Sequence, residues 1–508
     1  MPTVKGSKQR KRVARRRERV TVCGEDRRGA WWPACSSCSI TDLVCADQPY
    51  SQETISALPD DVLLEIFKFY VDQDCHEDAW HTLIHVCQRW RYVVFASPRG
   101  LHLQLHCTNK RPVKKMLDVW PTLPIVIDAF FTNSRRSGVT NIIAALEDHD
   151  RVCRINIWGV PSSLLKNCAV LKKPFPELTD LTLRSYDAPL IPASFLGGST
   201  PRLQSLELSG IQFPALGKLL LSATGLVTLR LLDIPNPEDI LPDAMATYLS
   251  ALTMLQDLFL DFRFPRSEED RENRNLSLLE RRFVLPSLTE FYFKGDSEYL
   301  EDLVDRVDTP VLDKFTVTFF DQLFFDTPLL RDFFSRTKAF QALHRAAIFI
   351  SSSCINVTLF RRKGLADHNT LDVGILCSMP SMQLLSLAQF CSTSLPHLPM
   401  LERLSMHELM SLGPQWTDDM ESAPWLELLH PFITVKDLAL SRFLGRHVAL
   451  ALRELTGESA AEVLPELRHV FVDVFDPSGP TQEAIAQFTA ARQLYGRPVT
   501  VHRVAKGS

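Results

Sequence analysis

The sequence lacks any long uninterrupted apolar run. A transmembrane helix needs roughly 18 or more consecutive apolar residues, and the richest stretch, residues 62–71, is interrupted by Glu65 and Lys68. No apolar block of about 7–15 residues follows the charges near the N-terminus, so this end does not resemble a secretory signal. We therefore expect a protein without a membrane span that works in the cytoplasm, the nucleus or both.

Sequence signatures of catalysis are missing as well. There is no Gly-rich phosphate loop with its lysine, no dinucleotide fingerprint, no His-Glu-x-x-His and no Gly-x-Ser-x-Gly elbow. We expect no catalytic residues and no cofactor. The sequence thus predicts a protein that is not an enzyme.

Cysteine is sparse, with 12 residues among 508, and most of them lie inside apolar patterns. In a chain without an export signal, such cysteines are expected to be reduced and mostly buried. The densest group is Cys35 and Cys38, with Cys23 and Cys45 nearby. Paired thiolates can chelate zinc, but this spacing fits no familiar zinc finger, and the alternative is free thiols in a loose segment. We expect no bound metal.

Charge is distributed unevenly along the chain. Residues 1–19 hold nine Lys or Arg and one Glu, a net +8, whereas the whole chain carries −4 and the remainder therefore −12. Residues 1–50 also lack apolar periodicity and are predicted to be a disordered basic tail. Such a tail could be a nuclear import signal, a nucleic-acid-binding arm or a solvated segment.

Helical periodicity begins after this tail. Pro59 suits a first helical position, and Asp60 and Asp61 favour the positive end of a helix. Apolar residues follow at helical spacing, at Leu63, Ile66, Phe67 and Tyr70. A second helix is predicted over residues 78–95. Apolar residues off the main stripes would need a partner to cover them, namely Val62, Phe69, Ile84 and Val86.

Two segments of this region resemble the F-box. They run from Leu58 to Phe67, with the sequence LPDDVLLEIF, and from Val86 to Arg91, with the sequence VCQRWR. The continuation to about residue 130 resembles the F-box proteins abundant in mushroom-forming fungi. The resemblance implies an F-box over residues 51–110 that binds a Skp-type adaptor and, through it, a cullin-RING ubiquitin ligase. The residues assigned to adaptor binding are Leu58, Pro59, Leu63, Ile66, Phe67, Val86, Cys87 and Trp90.

From about residue 150 an eight-residue pattern recurs, in which apolar residues stand at the first, fourth and sixth positions after an optional Pro-x. Clear copies begin at Pro176, Pro201, Pro286 and Pro465, and weaker ones at Val152, Leu226, Leu255, Leu312, Met382, Leu401 and Val435. Most copies lie 19–34 residues apart, which resembles leucine-rich repeats. The one larger gap could hide a missed copy near Leu343.

Each copy is predicted to be a short strand with inward leucines, and the returning segment, often helical, packs behind it. The expected fold is therefore an α/β repeat, an irregular leucine-rich-repeat solenoid over residues 111–508 that follows the helical F-box module. Insertions at residues 266–274 and 361–370 are expected to be surface loops. A helix-like segment at 481–494 and a strand-like segment at 498–503 are expected to cap the array.

Side chains flanking the inward leucines form the predicted substrate face. Those assigned to substrate binding are Trp158, Arg184, Arg230, Phe259, Tyr292 and Phe471. With the F-box resemblance, this face implies a non-catalytic substrate-recognition subunit of a Skp–cullin–F-box ubiquitin ligase that binds an unidentified protein and no membrane. Two alternatives stay open: a leucine-rich-repeat scaffold with no degradative role, and a nuclear repeat protein associated with nucleic acid through its basic tail.

Overall fold

The structure is a computed structural model. It describes residues 55, 58–73, 79–98, 100–120, 122–132, 138–167, 169–235, 240–265, 282–320, 322, 325–363, 366–396, 398–409, 421–455, 459–472 and 479–503. The chain divides into two units, residues 1–59 and 60–508. The predicted basic tail with its four cysteines and the predicted insertion at 266–274 lie outside the described residues.

One long sheet dominates the second unit. Its described strands number 16 and run in the order β1-β2-β3-β4-β5-β6-β7-β9-β11-β14-β13-β12-β15-β16-β17-β18, while β8 and β10 form a separate parallel pair. The strands are β1 Leu105–Thr108, β2 Ile125–Phe130, β3 Val152–Trp158, β4 Asp180–Arg184, β5 Ser205–Ser209, β6 Thr228–Ile234, β7 Asp257–Phe262, β8 Phe283–Val284, β9 Glu290–Gly295, β10 Val307–Asp308, β11 Lys314–Phe319, β12 Leu343–Ile350, β13 Cys354–Lys363, β14 Ala366–Leu376, β15 Arg403–Glu408, β16 Asp437–Leu440, β17 His469–Val472 and β18 Thr500–Arg503.

Helices alternate with these strands, which confirms the predicted α/β repeat. They are α1 Asp60–Gln73, α2 Ala79–Ile84, α3 Gln88–Ala96, α4 Val113–Val119, α5 Val139–Glu147, α6 Ser162–Asn167, α7 Leu216–Ser222, α8 Pro242–Ser250, α9 Ser297–Val304, α10 Pro328–Arg336, α11 Pro380–Ser394, α12 Ala423–Leu429, α13 Arg442–Arg453, α14 Ser459–Glu462 and α15 Pro480–Leu494. Short 3-10 turns cover Ala169–Lys172, Phe195–Gly198, Lys338–Ala342 and Leu398–Met400.

The apolar residues of the predicted repeat form continuous rows across the sheet. Leu181 on β4 pairs with Leu206, which pairs with Leu229, and the row continues through Leu258 to Phe291. Every member of this row is almost completely buried. Because neighbouring strands share one register, each repeat buries its leucines against those of the next, and no copy could fold alone.

The centre of the sheet departs from the prediction. Residues 361–363 and 366–370 are not a surface loop, because they belong to the antiparallel strands β13 and β14, in which Arg361 pairs with His368 and Lys363 with Ala366. Strand β14 then pairs with β11 in parallel, whereas β13 pairs with β12 in antiparallel fashion. The predicted copy near Leu343 is confirmed as β12.

The predicted copy at Met382 is wrong. That segment is helix α11, which has Pro380 in its first turn and buries Leu384, Leu387 and Phe390. Apolar residues at steps of three satisfy a helix as well as they satisfy the repeat pattern.

The predicted second helix, residues 78–95, is two helices. Cys87 lies between α2 and α3 with an extended backbone (φ −157°, ψ 170°), and its sulfur accepts a hydrogen bond from the Trp90 amide. Ile84, predicted to be uncovered, is buried with Trp80 and Leu83. The helical module therefore has a packed interior of its own, in which the rings of Phe67 and Trp90 lie 4.7 Å apart.

The predicted cap is confirmed as helix α15 and strand β18, and one buried arginine fastens it to the preceding repeat. The Arg492 side chain is fully buried and donates hydrogen bonds to the carbonyl oxygens of Val463, Leu464, Pro465 and Leu467 at 3.2–3.3 Å. The guanidinium thus donates to a turn of backbone in which Val463, Leu464 and Leu467 are buried.

We expect Arg492→Ala to lower the local free energy of opening by about 2–4 kcal/mol, because the carbonyl oxygens of buried Val463 and Leu467 would lose their side-chain donor. Hydrogen exchange of the amides in residues 459–503 would measure the change. The matched control is Gln493→Ala at the exposed neighbouring position, which should alter protection by less than about 0.5 kcal/mol. Equal effects of the two substitutions would contradict this role for Arg492.

A buried carboxylate joins two further repeats. Glu301 on α9 is almost fully buried and accepts hydrogen bonds from the backbone amides of Leu329 (3.2 Å) and Leu330 (2.5 Å) at the start of α10. Burial raises the pKa of Glu301 from 4.5 to about 7, although these two hydrogen bonds act in the opposite direction. The folded protein therefore holds this proton more tightly than the unfolded chain does.

Between pH 4.5 and 7 the folded state binds more protons at Glu301 than the unfolded state, so stability is lost as pH rises through this window. We expect urea unfolding to show that the free energy of unfolding falls by about 3 kcal/mol at most because of this group. Glu301→Gln should flatten that slope, whereas the same change at exposed Glu466 should preserve it. An unchanged slope in Glu301→Gln would place the linked proton elsewhere.

Candidate functional site

The predicted substrate residues lie on the strand face opposite the buried leucines, here called the open face. Trp158 pairs in register with Arg184 on β4, and Arg230 on β6 pairs with Phe259 on β7. Phe259 in turn pairs with Tyr292 on β9. Five of the six predicted residues thus lie on strands from β3 to β9 and form one patch.

One end of the patch is an ion pair covered by an aromatic ring. The Arg184 guanidinium lies 3.9 Å from the centre of the Trp158 ring and donates to the carboxylate of Glu207. Glu207 is buried, although it points to the open face. Strand alternation puts Glu207 on the same face as the predicted residues, but its burial depends on its contact with Arg184 on the neighbouring strand.

The other end is a stack of side chains from three strands. The Arg230 guanidinium lies 4.4 Å from the centre of the Phe259 ring, and the rings of Phe259 and Tyr292 stack at 5.6 Å with an interplanar angle of 22°. Burial, followed by the charge of Asp261, raises the pKa of Tyr292 to about 12. Its hydroxyl is therefore neutral at physiological pH and can donate a hydrogen bond.

Phe471 lies apart from this patch. It belongs to β17, seven strands beyond β9 in the sheet, which at about 4.8 Å per strand is more than 30 Å measured along the sheet. Its ring stacks on His502 at 4.7 Å, and His502 Nε2 lies 3.1 Å from His469 Nδ1. The structure therefore separates Phe471 from the other five predicted residues.

A cavity of about 670 Å³ opens beside Trp158 on strands β1 to β3. Along one wall, Trp158 Nε1 donates to Asn156 Oδ1, and Asn156 Nδ2 donates to Asp128 Oδ1, each at 2.9 Å. His106, whose Nδ1 lies 3.9 Å from Asp128 Oδ2, is the largest cause that lowers the pKa of Asp128, so this carboxylate is charged at neutral pH. The leucine pattern does not predict this cavity, because β1 and β2 do not carry that pattern.

Most charges on the open face from β3 to β11 are paired between neighbouring strands. Besides Arg184 and Glu207, the pairs are Arg154 with Asp180 (3.8 Å), Lys294 with Asp261 (2.9 Å), and Lys314 with Glu290 (2.6 Å). These ion pairs link adjacent repeats. Each pair also neutralises two charges that a ligand would otherwise contact.

A second surface belongs to the helical module. Of the predicted adaptor residues, Leu63 and Phe67 are completely buried, Leu58 and Trp90 are half-buried, and Pro59, Ile66, Val86 and Cys87 are exposed. Helix α1 also exposes Val62, Phe69 and Tyr70, which share one side of the helix with Ile66. The module therefore buries one part of its apolar surface and presents another to solvent.

Most of the described cysteines are shielded from solvent, and Cys87 is the exposed one among them. None of them forms a disulfide, and Cys107, Cys377 and Cys391 are buried. Burial raises the pKa of Cys107 to about 12 and that of Cys354 to about 11, which disfavours the nucleophilic thiolate. Within the described ranges, no three His, Cys, Asp or Glu side chains are arranged to hold a metal ion, and no helix is both long and apolar enough to span a bilayer.

No protein-family model matches the chain, and no curated protein is significantly similar to it. The F-box resemblance of residues 58–103 therefore rests on those residues themselves.

We expect a double-mutant cycle on Arg184 and Glu207 to give a coupling free energy of about 1–2 kcal/mol, because the carboxylate is buried and has no water to replace its partner. Chemical denaturation of the two alanine variants and of the double variant would supply it. The control cycle on Arg154 and Asp180, a longer and more exposed pair, should give less than about 0.5 kcal/mol. Equal couplings would mean that burial does not strengthen the Arg184 pair.

Proposed function

We propose that this protein is a substrate-recognition subunit of a Skp–cullin–F-box ubiquitin ligase. The observation that carries the proposal is the apolar stripe of helix α1, in which Val62, Ile66, Phe69 and Tyr70 are each at least 37% exposed. These residues lie within or directly after the segment that resembles the F-box. A helical module that already has a packed interior does not need this stripe for its own folding, and a partner would cover it.

The size of the stripe supports docking of an adaptor. Four large side chains together with Val86 would remove on the order of several hundred Å² of apolar area from water, at about 25 cal/mol per Å². A patch of this size is at the upper end of what soluble monomers expose. Leu63 and Phe67, which have no exposed surface, would contribute by holding α1 in place, and Ile66 and Val86 would make the contact.

The open face supports the second half of the proposal. A row of aromatic and charged side chains on a rigid sheet can bind a protein segment without any catalytic group. With the adaptor on one side and the substrate on the other, the chain would raise the effective concentration of a substrate lysine near the activated ubiquitin. Catalysis would then come from the partner subunits.

We expect the full chain, co-expressed with a tagged Skp-type adaptor, to be recovered with it, and Ile66→Asp to abolish recovery. A carboxylate buried in an apolar interface without a partner costs several kcal/mol. The matched control is Ile433→Asp, since Ile433 is equally exposed (44% against 42%) but lies between α12 and β16. If Ile66→Asp and Ile433→Asp both bind the adaptor as well as the wild-type protein does, the exposed stripe of α1 is not the adaptor site and the proposal loses its basis.

The same purification distinguishes the alternatives. Recovery of the cullin with the adaptor supports the ligase, and recovery of the adaptor without the cullin supports a scaffold. Salt-sensitive recovery of nucleic acid, without the adaptor, would support the alternative of a nuclear repeat protein that associates with nucleic acid.

A further inference from the structure

Arg230 is an exception to the charge pairing of the open face. Among the Lys and Arg residues described on this face from β3 to β11, it alone makes no ion pair. Glu207, its partner in register on β5, is engaged by Arg184. Among the described Lys and Arg residues of this face, Arg230 is therefore the one cation that neighbouring strands leave available to a ligand.

The position of Arg230 suits a binding group. Its side chain is half-buried, and its Nε atom is shielded from solvent and has no hydrogen-bond partner. Stacking on Phe259 holds the guanidinium plane against an aromatic surface, at 4.4 Å from the ring centre. Because Nε is shielded from solvent, an anion docked from the open face would meet the two terminal nitrogens of the guanidinium.

We infer that Arg230 binds the carboxylate of an Asp or Glu side chain in an extended segment of the substrate protein. This inference rests on the proposed function and assigns a substrate class to the open face. A guanidinium binds a carboxylate through two parallel hydrogen bonds. The stacked rings of Phe259 and Tyr292 provide apolar area for the residue next to that carboxylate.

The surroundings favour a single negative charge over a phosphate. Asp257, two residues before Phe259, makes no ion pair and accepts a hydrogen bond from the Thr228 hydroxyl at 3.2 Å. Its carboxylate would repel a doubly charged phosphate beside Arg230 more strongly than a carboxylate. Phosphate recognition also generally uses a cluster of arginines, and the other Lys and Arg residues of this region are already paired.

Selection from a random library of 12-residue peptides on the full chain provides the test. We expect the wild-type protein to select peptides with Asp or Glu at one position, and replacement of that residue by Gln or Asn to weaken the peptide at least tenfold in fluorescence polarisation. Arg230→Gln should cause the same loss, without a further loss for the amide peptide. Asp257→Asn should tighten the acidic peptide severalfold.

The matched control is Arg154→Gln, which removes a paired cation of the same face and should change affinity by less than about twofold. The inference is overturned if no peptide is selected, if selected peptides lack an acidic position, or if Arg230→Gln and Arg154→Gln behave alike. Tighter binding of a phosphoserine peptide, by tenfold over its Glu version, would also overturn it. Arg230→Gln should still be recovered with the adaptor. Adaptor recovery therefore tests the proposed function, and peptide affinity tests the role of Arg230, as two separate measurements.

Discussion

The fold depends on burial of apolar side chains in register from one repeat to the next. Leu206 is completely buried, as a residue in a globular core would be, but the side chains that cover it come from the neighbouring repeats. The backbone follows the same rule along β5, β6, β7, β9 and β11, because the residue before each of these strands donates to its equivalent in the preceding repeat. Val227 donates to Gln204, Gln256 to Val227, and Thr289 to Gln256, each at 2.8 Å. One shared register thus sets the strand order and presents the alternating side chains on the open face.

How far the sequence predicts this architecture follows from the same rule. Copies with Pro and three leucines, such as the one that forms β5, were identified because the inward positions repeat. The leucine pattern does not predict strands β13 and β14. In β13, Ile355, Val357 and Leu359 alternate with polar residues, at the period of two residues that an ordinary β-strand has. The period-two pattern was visible and indicates a strand. The break between α2 and α3 at Cys87 could not be predicted from the sequence, because it depends on how these two helices pack.

The candidate patch, too, could be predicted from the sequence only in part. Strand alternation was sufficient to place Trp158, Arg184, Arg230, Phe259 and Tyr292 on one face, because side chains two residues apart share a side of the sheet. Which charges pair could not be predicted, since pairing depends on the register between strands that lie more than 20 residues apart in sequence. Glu207 illustrates this: its partner Arg184 is on another strand, and only their proximity makes the carboxylate a buried link and leaves Arg230 unpaired.

The reversed strand β13 has a consequence for cooperativity. Strands β11 and β12 follow one another in the chain but are not hydrogen-bonded neighbours, because β14 and β13 lie between them. In the sheet, the repeats before β11 and those after β12 are connected through the β13–β14 hairpin. A linear array is commonly described as identical units with identical nearest-neighbour couplings. Here the two wings are coupled through a unit of a different kind, so the hairpin sets whether they unfold together or one after the other.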